Sequence, residues 1–360
     1  MPVPIIPLYG HEALRARLAS AHARGALPPS LLLHGPRGVG KQRLALWIGQ
    51  MLLCDSDGDR PCGACRHCRY VLDLAHPDLR WFFPRPRLPN PDPRTQDVLD
   101  DFVDAIGERR KSNGLYSAPG GSEALYVATV RAILQLASLT PAMGRRKIFV
   151  IGDAERMVSQ EGSDQPANAF LKMLEEPQAD TQIILTSSEP GSLLPTIRSR
   201  AIAVRVPPLV EPASRSFLGD PVVNAALDRL DLPASLEQRI ELMEGAPGML
   251  LESADRAQAI AAAREFLDAV SQGRAEWSRA VAKMSAARAR GFFADVLDAM
   301  TVQLHARLRG AAGRSDASRV TAIAHSIEHI EDAKVRVDGN VNPQLLGASI
   351  AREVATWSLS

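Results

Sequence analysis

Apolar residues change their period several times along this chain, and each change marks an element. Leu31, Leu32 and Leu33 form a continuous apolar run, the pattern of a strand buried on both faces. Leu44, Ala45 and Ile48 follow at helical spacing and predict a helix to about Leu53, while Leu14 and Leu18 share one face of a helix over residues 10–25. The alternation then repeats. Trp81 to Phe83 reads as a strand, and Val127, Val130, Ile133, Leu134 and Ala137 as a helical stripe. Ile148 to Ile151 reads as a buried strand, Asn168 to Pro177 as a helix stopped by its proline, and Gln182 to Thr186 as another strand. A-I-A-V-R-V, before Pro207, supplies the last. Strands alternating with helices predict a largely parallel sheet in a three-layer α/β domain.

Past Pro208 the strand signal ends. Short helices, including Ser235 to Met243, are predicted over 209–253. From about residue 254 the pattern is helical throughout. Its stripes are Phe266, Leu267 and Val270, then Phe293, Val296, Leu297, Met300 and Leu304, then Ile323, Ile327 and Ile330, with Asn340 to Leu346 opening a last helix. Three domains follow: 1–207, a small helical domain 208–253 and an all-α domain 254–360. Residues 84–122 break the periodicity with proline-punctuated and charged segments around a polar helix-like patch at about Val98 to Ile106, and read as a surface insertion, partly disordered. Arg109, Arg110 and Lys111 within it read as a solvated charged run rather than a DNA contact.

The stretch from Ser30 to Ile48 carries the first chemistry. Gly35, Gly38 and Gly40 follow the apolar run, and Lys41 opens the helix. Strand, glycine loop, lysine and helix make a phosphate-binding loop, whose N–H groups and helix N-terminus favour an anion. The next position calls for Ser or Thr, because that hydroxyl ligates Mg²⁺. Here it is Gln42, whose amide is a poor ligand in a tight octahedral shell. The strand Ile148 to Ile151 ends in G-D-A-E, where a P-loop protein places its magnesium-organising acids. In one register Gly152 stands at the magnesium aspartate and Asp153 at the catalytic glutamate. In the other, Asp153 is the aspartate and Ala154 replaces the glutamate. Either register lacks a carboxylate that metal-assisted hydrolysis needs. Gln42 and the acidic pair thus count as two independent defects, and the expectation is weak ATP binding or none, without hydrolysis.

All four cysteines lie in one segment, Cys54, Cys62, Cys65 and Cys68, with the spacing C-x7-C-x2-C-x2-C. Four clustered thiolates suit a tetrahedral structural Zn²⁺ with no open position for catalysis. Gly63 eases the first bend, and His67 and His76 read as bystanders. Arg60, Arg66 and Arg69 read as a solvated basic loop rather than a nucleic-acid contact.

The 360 residues, 46% hydrophobic and 23% charged, are those of a soluble globular protein, and the net charge of +1 does not suggest a chain whose whole surface binds nucleic acid, though it leaves room for a local basic face. No apolar run reaches membrane length, and M-P-V-P-I-I-P-L lacks a basic region and a secretory core, so the expected location is the cytoplasm.

Together these residues resemble the clamp-loader subunits of bacterial DNA polymerase III, within the AAA+ superfamily. The marks are G-H-E near the start, the P-loop, the cysteine knuckle and H-P-D, then N-A-F-L-K-M-L-E-E-P, R-S-R and N-P-Q-L-L. Residues 84–122 and a stretch around 158–166 fall outside the resemblance. Within the family the chain departs from the ATP-hydrolysing motor at Gln42, at the acidic pair, and at Gly248, where many lids place a nucleotide-sensing arginine. It is therefore similar to the delta-prime type, a non-hydrolysing stator. The resemblance implies a helical lid at 208–253 and an oligomerisation collar at 254–360. It implies that Arg200, in S-R-A where the family has S-R-C, projects into a neighbour's nucleotide site as an arginine finger, with Arg198 as the nearest rival. It implies partners as well: the ATPase motor subunits and the delta subunit in a hetero-pentamer, with the sliding clamp and primed DNA reached through the complex. The chain would be an accessory subunit of the DNA-directed polymerase holoenzyme. A motor of the same complex, a zinc-dependent DNA-binding protein with a vestigial P-loop, and a scaffold unrelated to replication are the alternatives.

Overall fold

The apolar runs become the strands of one parallel sheet in a computed structural model. These are Ser30–His34 (β1), Leu79–Phe82 (β2), Lys147–Ile151 (β3), Thr181–Ser187 (β4) and Ile202–Arg205 (β5). Their order is β2-β3-β4-β1-β5, with every pair parallel. The structure describes residues 5–117, 123–157, 165–175, 177–178, 180–228, 230, 232–272, 281, 290–313, 316–337 and 343–358. They fall into two units, Met1–Leu251 and Glu252–Ser360.

In the first unit the continuous apolar runs sit where a doubly covered sheet needs them. β3 and β4 are buried along their whole length, and β1 up to Leu33. The edge strand β5 is exposed, Ile202 to 57%. The helices are Glu12–Ala23 (α1), Lys41–Leu53 (α2), Arg66–Leu72 (α3), Thr95–Lys111 (α4), Val127–Ala137 (α5), Gln165–Glu175 (α6) and Pro195–Arg198 (α7). α2 is buried at every position but Arg43. Its closeness to the sheet depends on Gly49, where a Cβ would lie 2.5 Å from Leu79 Cδ1.

Three short helices complete the unit: Glu211–Leu218 (α8), Pro221–Leu227 (α9) and Leu236–Met243 (α10). They share a small core of Leu209, Phe217, Leu218, Val223, Leu227, Met243 and Leu250, to which Ile6 of the N-terminal segment belongs. That segment is a strap. Ile5 N–H donates to the Leu72 carbonyl at 3.0 Å and Ile6 N–H to the Asn113 carbonyl at 2.9 Å, while Tyr9 Oη donates to Asp220.

The second unit holds Ser253–Gln272 (α11), Arg290–Gly313 (α12), Ala317–Val337 (α13) and Pro343–Ser358 (α14). Phe266, Leu267, Val270, Phe293, Val296, Leu297, Met300, Leu304, Ile323 and Ile330 line its core, so the helical stripes face inward. Asn340 lies outside the described residues, as do 158–164 and 118–122. No described helix is long and apolar enough to cross a membrane.

The reading of 84–122 as a partly disordered surface segment is corrected for most of its length. α4 runs for 17 residues and buries Val98, Phe102 and Ala105 against the main core. Phe102 meets Phe82 and Phe83 edge-on, with centroids at 4.8 and 5.3 Å. The helix-like patch expected at about Val98 to Ile106 is the middle of this longer helix, whose few apolar positions are spaced to face the core.

H-P-D is an anchor. The Asp78 carboxylate accepts from the N–H groups of Ala142, Met143 and Gly144 at 2.5, 2.8 and 2.5 Å, and the Asp78 carbonyl accepts from Ile148 N–H at 2.7 Å. This fixes the loop that feeds β3. Burial alone would raise the Asp78 pKa, but the three backbone donors outweigh it and hold it below the usual carboxylate value. A group depressed in the folded state adds stability that is present above its unfolded pKa, near 3.8, and is lost as pH falls through the folded value. Asp78→Ala is expected to cost about 1–3 kcal/mol at pH 7, measured by urea denaturation, because three backbone N–H groups lose their acceptor. The cost should shrink below about pH 4, where the wild type loses the same contribution.

Candidate functional site

β1 delivers the chain into the loop 35–40, and three glycines make its path possible. A Cβ at Gly35 would sit 2.1 Å from the Val206 carbonyl oxygen, and Gly38 and Gly40 have φ of 76° and 92°. Lys41 then begins α2 with its ammonium turned back over the loop. Nζ donates to the Gly35 and Pro36 carbonyls, both at 2.9 Å, and to Ser188 Oγ at 2.8 Å. All three donors are taken up by protein oxygens. Burial lowers the Lys41 pKa to about 8, against the opposing pull of Asp153 and Glu155. On its outer side the loop is covered by backbone: Gly248 N–H donates to the Gly38 carbonyl at 2.9 Å. A Cβ at Gly248 would lie 2.8 Å from Gly38 Cα, so the position expected to carry a sensing arginine admits no side chain.

Gln42 occupies the position of the magnesium hydroxyl, and its amide is held at both ends. Trp81 Nε1 donates to Oε1 at 2.8 Å, and Nε2 donates to Asp153 Oδ2 at 2.9 Å. The amide lies directly over Gly152. A Cβ there would stand 2.4 Å from Gln42 Oε1 and 2.6 Å from Nε2. Both residue 152 and the Asp153 carboxylate therefore face residue 42, and the contact is compatible with either register of the acidic pair. The Gln42 amide needs the absence of a side chain at 152, so these two positions are packed against each other.

Behind this amide sits a cation that the sequence reading placed in solvent. The Arg109 guanidinium, from the last turn of α4, lies 4.1 Å from the Trp81 ring centroid, 3.2 Å from Phe83 and 3.7 Å from Tyr116. Burial lowers its pKa to about 10 and raises that of the Tyr116 hydroxyl. By contrast Lys111 is exposed and bonded to Glu108 at 2.6 Å. Asp153 adopts φ 47° at the end of β3, and its N–H donates to Thr186 Oγ1 at 3.1 Å. Glu155 accepts from Ser188 N–H at 2.9 Å, and burial, reinforced by Asp153, raises its pKa.

The cysteine segment brings four sulfurs together. Their Sγ atoms all lie within 4.8 Å of one another, with Cys62 to Cys68 at 3.9 Å and Cys54 to Cys65 at 4.0 Å. A tetrahedral zinc with bonds of about 2.3 Å separates its sulfurs by about 3.8 Å, so the donor set fits. Backbone N–H groups already point at the sulfurs: Ser56 and Cys62 to Cys54, Cys65 to Cys62 and Cys68 to Cys65, at 3.3–3.5 Å. The Cys65 N–H helps pull the Cys62 thiol down to about 6, while burial pushes Cys54 and Cys68 up. Gly63 turns at φ 72°. His67 and His76 pair with each other, Nδ1 to Nε2 at 2.7 Å. Asp78 N–H donates to His76 Nδ1 at 3.0 Å, and His67 Nε2 faces Asp55 at 3.1 Å. Burial lowers the His76 pKa to about 4. A His76 whose Nδ1 accepts must donate from Nε2 to His67 Nδ1, so these histidines tie the cysteine segment to β2.

Arg200 lies far along the chain, just before the edge strand β5. Its Nη1 donates to the Thr196 carbonyl at 2.9 Å, and its Nη2 pairs with Glu175, the last residue of α6. Ala201 is buried and Arg198 is exposed on α7. Sequence reasoning missed Trp81, Arg109, Ser188 and Glu175. Only Ser188 carried a signal, since it follows the central strand β4 at the carboxyl end of the sheet, where such folds bind ligands.

The family described as DNA polymerase III, delta subunit, matches residues 10–210. A protein named DNA polymerase III subunit delta' from Pseudomonas aeruginosa is 31% identical over 236 residues, 65% of this chain and 56% of its own. One named DNA polymerase III subunit gamma/tau, from Mycobacterium bovis, is 30% identical over 200 residues, 55% of this chain and 28% of its own. The chain spans about half the length of the delta' relatives it matches first. A crystal structure of a DNA polymerase III gamma subunit-related protein from Thermotoga maritima aligns over 95% of this chain and 99% of its own, at 16% identity and a TM-score of 0.39.

The packing of Gln42 on Gly152 makes a measurable prediction. Gly152→Ala should destabilise the wild type by about 1–3 kcal/mol in chemical denaturation, because the new methyl drives the amide off Trp81 and Asp153. In a Gln42→Ser background the same substitution should cost well under half as much.

Proposed function

Because the chain belongs to the family described as DNA polymerase III, delta subunit, we propose that it is a delta-prime-type AAA+ stator of a clamp loader. It would hydrolyse no ATP itself and would lend an arginine finger to a neighbouring ATPase subunit. The observation that carries this reading is the Gln42 amide, bonded to Trp81 and Asp153 over Gly152. It fills the space between helix α2 and strand β3 where a magnesium shell would be assembled. Lys41 is turned onto its own loop, and Gly248 closes on Gly38, which also favours a site without turnover.

Position and chemistry support the finger role that the family resemblance implies for Arg200. It lies outside its own P-loop site, beside an exposed sheet edge, where a second subunit could receive it. A planar, always charged guanidinium offsets charge on a transferring phosphoryl group. The lid at 208–253 and the collar at 254–360 would carry assembly with the motor subunits and the delta subunit in a hetero-pentamer. The sliding clamp and primed DNA would be reached through that complex.

The test is clamp- and DNA-stimulated ATP hydrolysis by the reconstituted loader. Arg200→Ala in this chain should reduce kcat at one site by about 10³-fold or more. The whole complex would then retain the turnover of its other sites, and Lys41→Ala should change little. The opposite pattern would make this chain a motor, and loss with neither would remove the mechanism.

The four cysteines would hold one structural Zn²⁺, binding the segment between α2 and α3 into a fixed turn. Metal analysis of the purified chain should give one zinc per chain. Cys68→Ser should lose it and lower Tm, since a structural zinc contributes on the order of 10 kcal/mol to the fold of such a module.

A further inference from the structure

Arg200 is engaged within its own chain. Nη1 donates to the Thr196 carbonyl at 2.9 Å, one helical turn back, so the side chain is folded onto α7. Nη2 is paired with Glu175 Oε1, which reaches the guanidinium from the end of α6. A backbone carbonyl and a carboxylate from two elements thus hold the group from two sides. Neither partner is sealed, because the side chains of Arg200 and Glu175 are 31% and 43% exposed. Another anion can therefore approach and compete.

From this pairing we infer that Glu175 is a positioning residue that parks Arg200 until a stronger anion displaces it. The inference rests on the finger reading of Arg200 given above. A solvent-screened ion pair shifts an equilibrium by about two- to fivefold and not by decades. That is strong enough to set a resting pose and weak enough to yield to a triphosphate, which presents several charges and bidentate oxygens. While the guanidinium is parked, only a fraction of fingers is competent. The apparent affinity of the neighbour's nucleotide site falls by that fraction. Saturating ATP draws every finger out of the parked pose, so the maximal rate is untouched.

Glu175→Gln tests this, because it removes the charge and keeps the shape. ATP is titrated against steady-state hydrolysis by the reconstituted loader, with the sliding clamp and primed DNA present. Four forms of this chain are compared: wild type, Glu175→Gln, Arg200→Ala and the double variant. The expected result is an apparent KM for ATP lowered about two- to fivefold by Glu175→Gln at unchanged kcat. The substitution should have no effect in the Arg200→Ala background. An unchanged KM, a kcat that falls, or the same KM shift without Arg200 would each overturn the parked pose. Arg200→Ala reports separately on the finger itself. If it leaves both kcat and KM at wild-type values, the finger reading fails, whatever Glu175→Gln does. If it costs activity while Glu175→Gln is silent, the finger stands and the parking role falls.

Discussion

The amide of Gln42 holds the centre of the first unit together. Its oxygen takes the indole proton of Trp81 from β2, and its nitrogen donates to Asp153 beyond β3. One side chain at the start of α2 therefore ties two neighbouring strands to the helix that lies across them. The arrangement tolerates no Cβ at Gly152, and it turns Trp81 into a wall of the cage around Arg109. A serine or threonine at 42 would be too short to reach both partners. Gln42 is thus a structural joint between α2, β2 and the end of β3.

Charge balance follows the same logic. The region holds two buried cations, Lys41 and Arg109, and two carboxylates, Asp153 and Glu155. A site built for a magnesium nucleotide leaves its lysine free for phosphate and its acids free for metal. Here the lysine is bonded to loop carbonyls and Ser188, and Asp153 is bonded to Gln42. Lys41 and the Gln42–Asp153 pair are thus satisfied, as buried polar groups tend to be, while Arg109 Nη1 and Glu155 Oε2 are buried without a hydrogen-bond partner.

Much of this was legible in the chain. Continuous apolar runs gave the buried strands, because a strand covered on both faces has no polar face to show. The glycine loop ahead of Lys41 and the clustering of the four cysteines are local geometry, since each depends on residues close in sequence. What was not legible depends on residues far apart. Arg109 looked like part of a basic run, since only the folded chain brings it to Trp81, Phe83 and Tyr116. Gln42 and Gly152 looked like separate losses because 110 positions separate them along the chain. The helix-like patch within α4 read as surface, because its apolar positions, Val98, Phe102 and Ala105, are few, and only the folded chain shows the core they meet.

The same distinction bears on how function is divided within the fold. The sheet, the P-loop and the cysteine cluster are inward-looking: their polar groups find partners in this chain. Arg200 is different, since its partners Thr196 and Glu175 hold it at the surface, next to an edge strand with an exposed isoleucine. The two groups differ in what surrounds them: the Gln42 amide is buried between Trp81 and Asp153, whereas the Arg200 guanidinium, 31% exposed, shares its contacts with solvent, which screens its ion pair with Glu175.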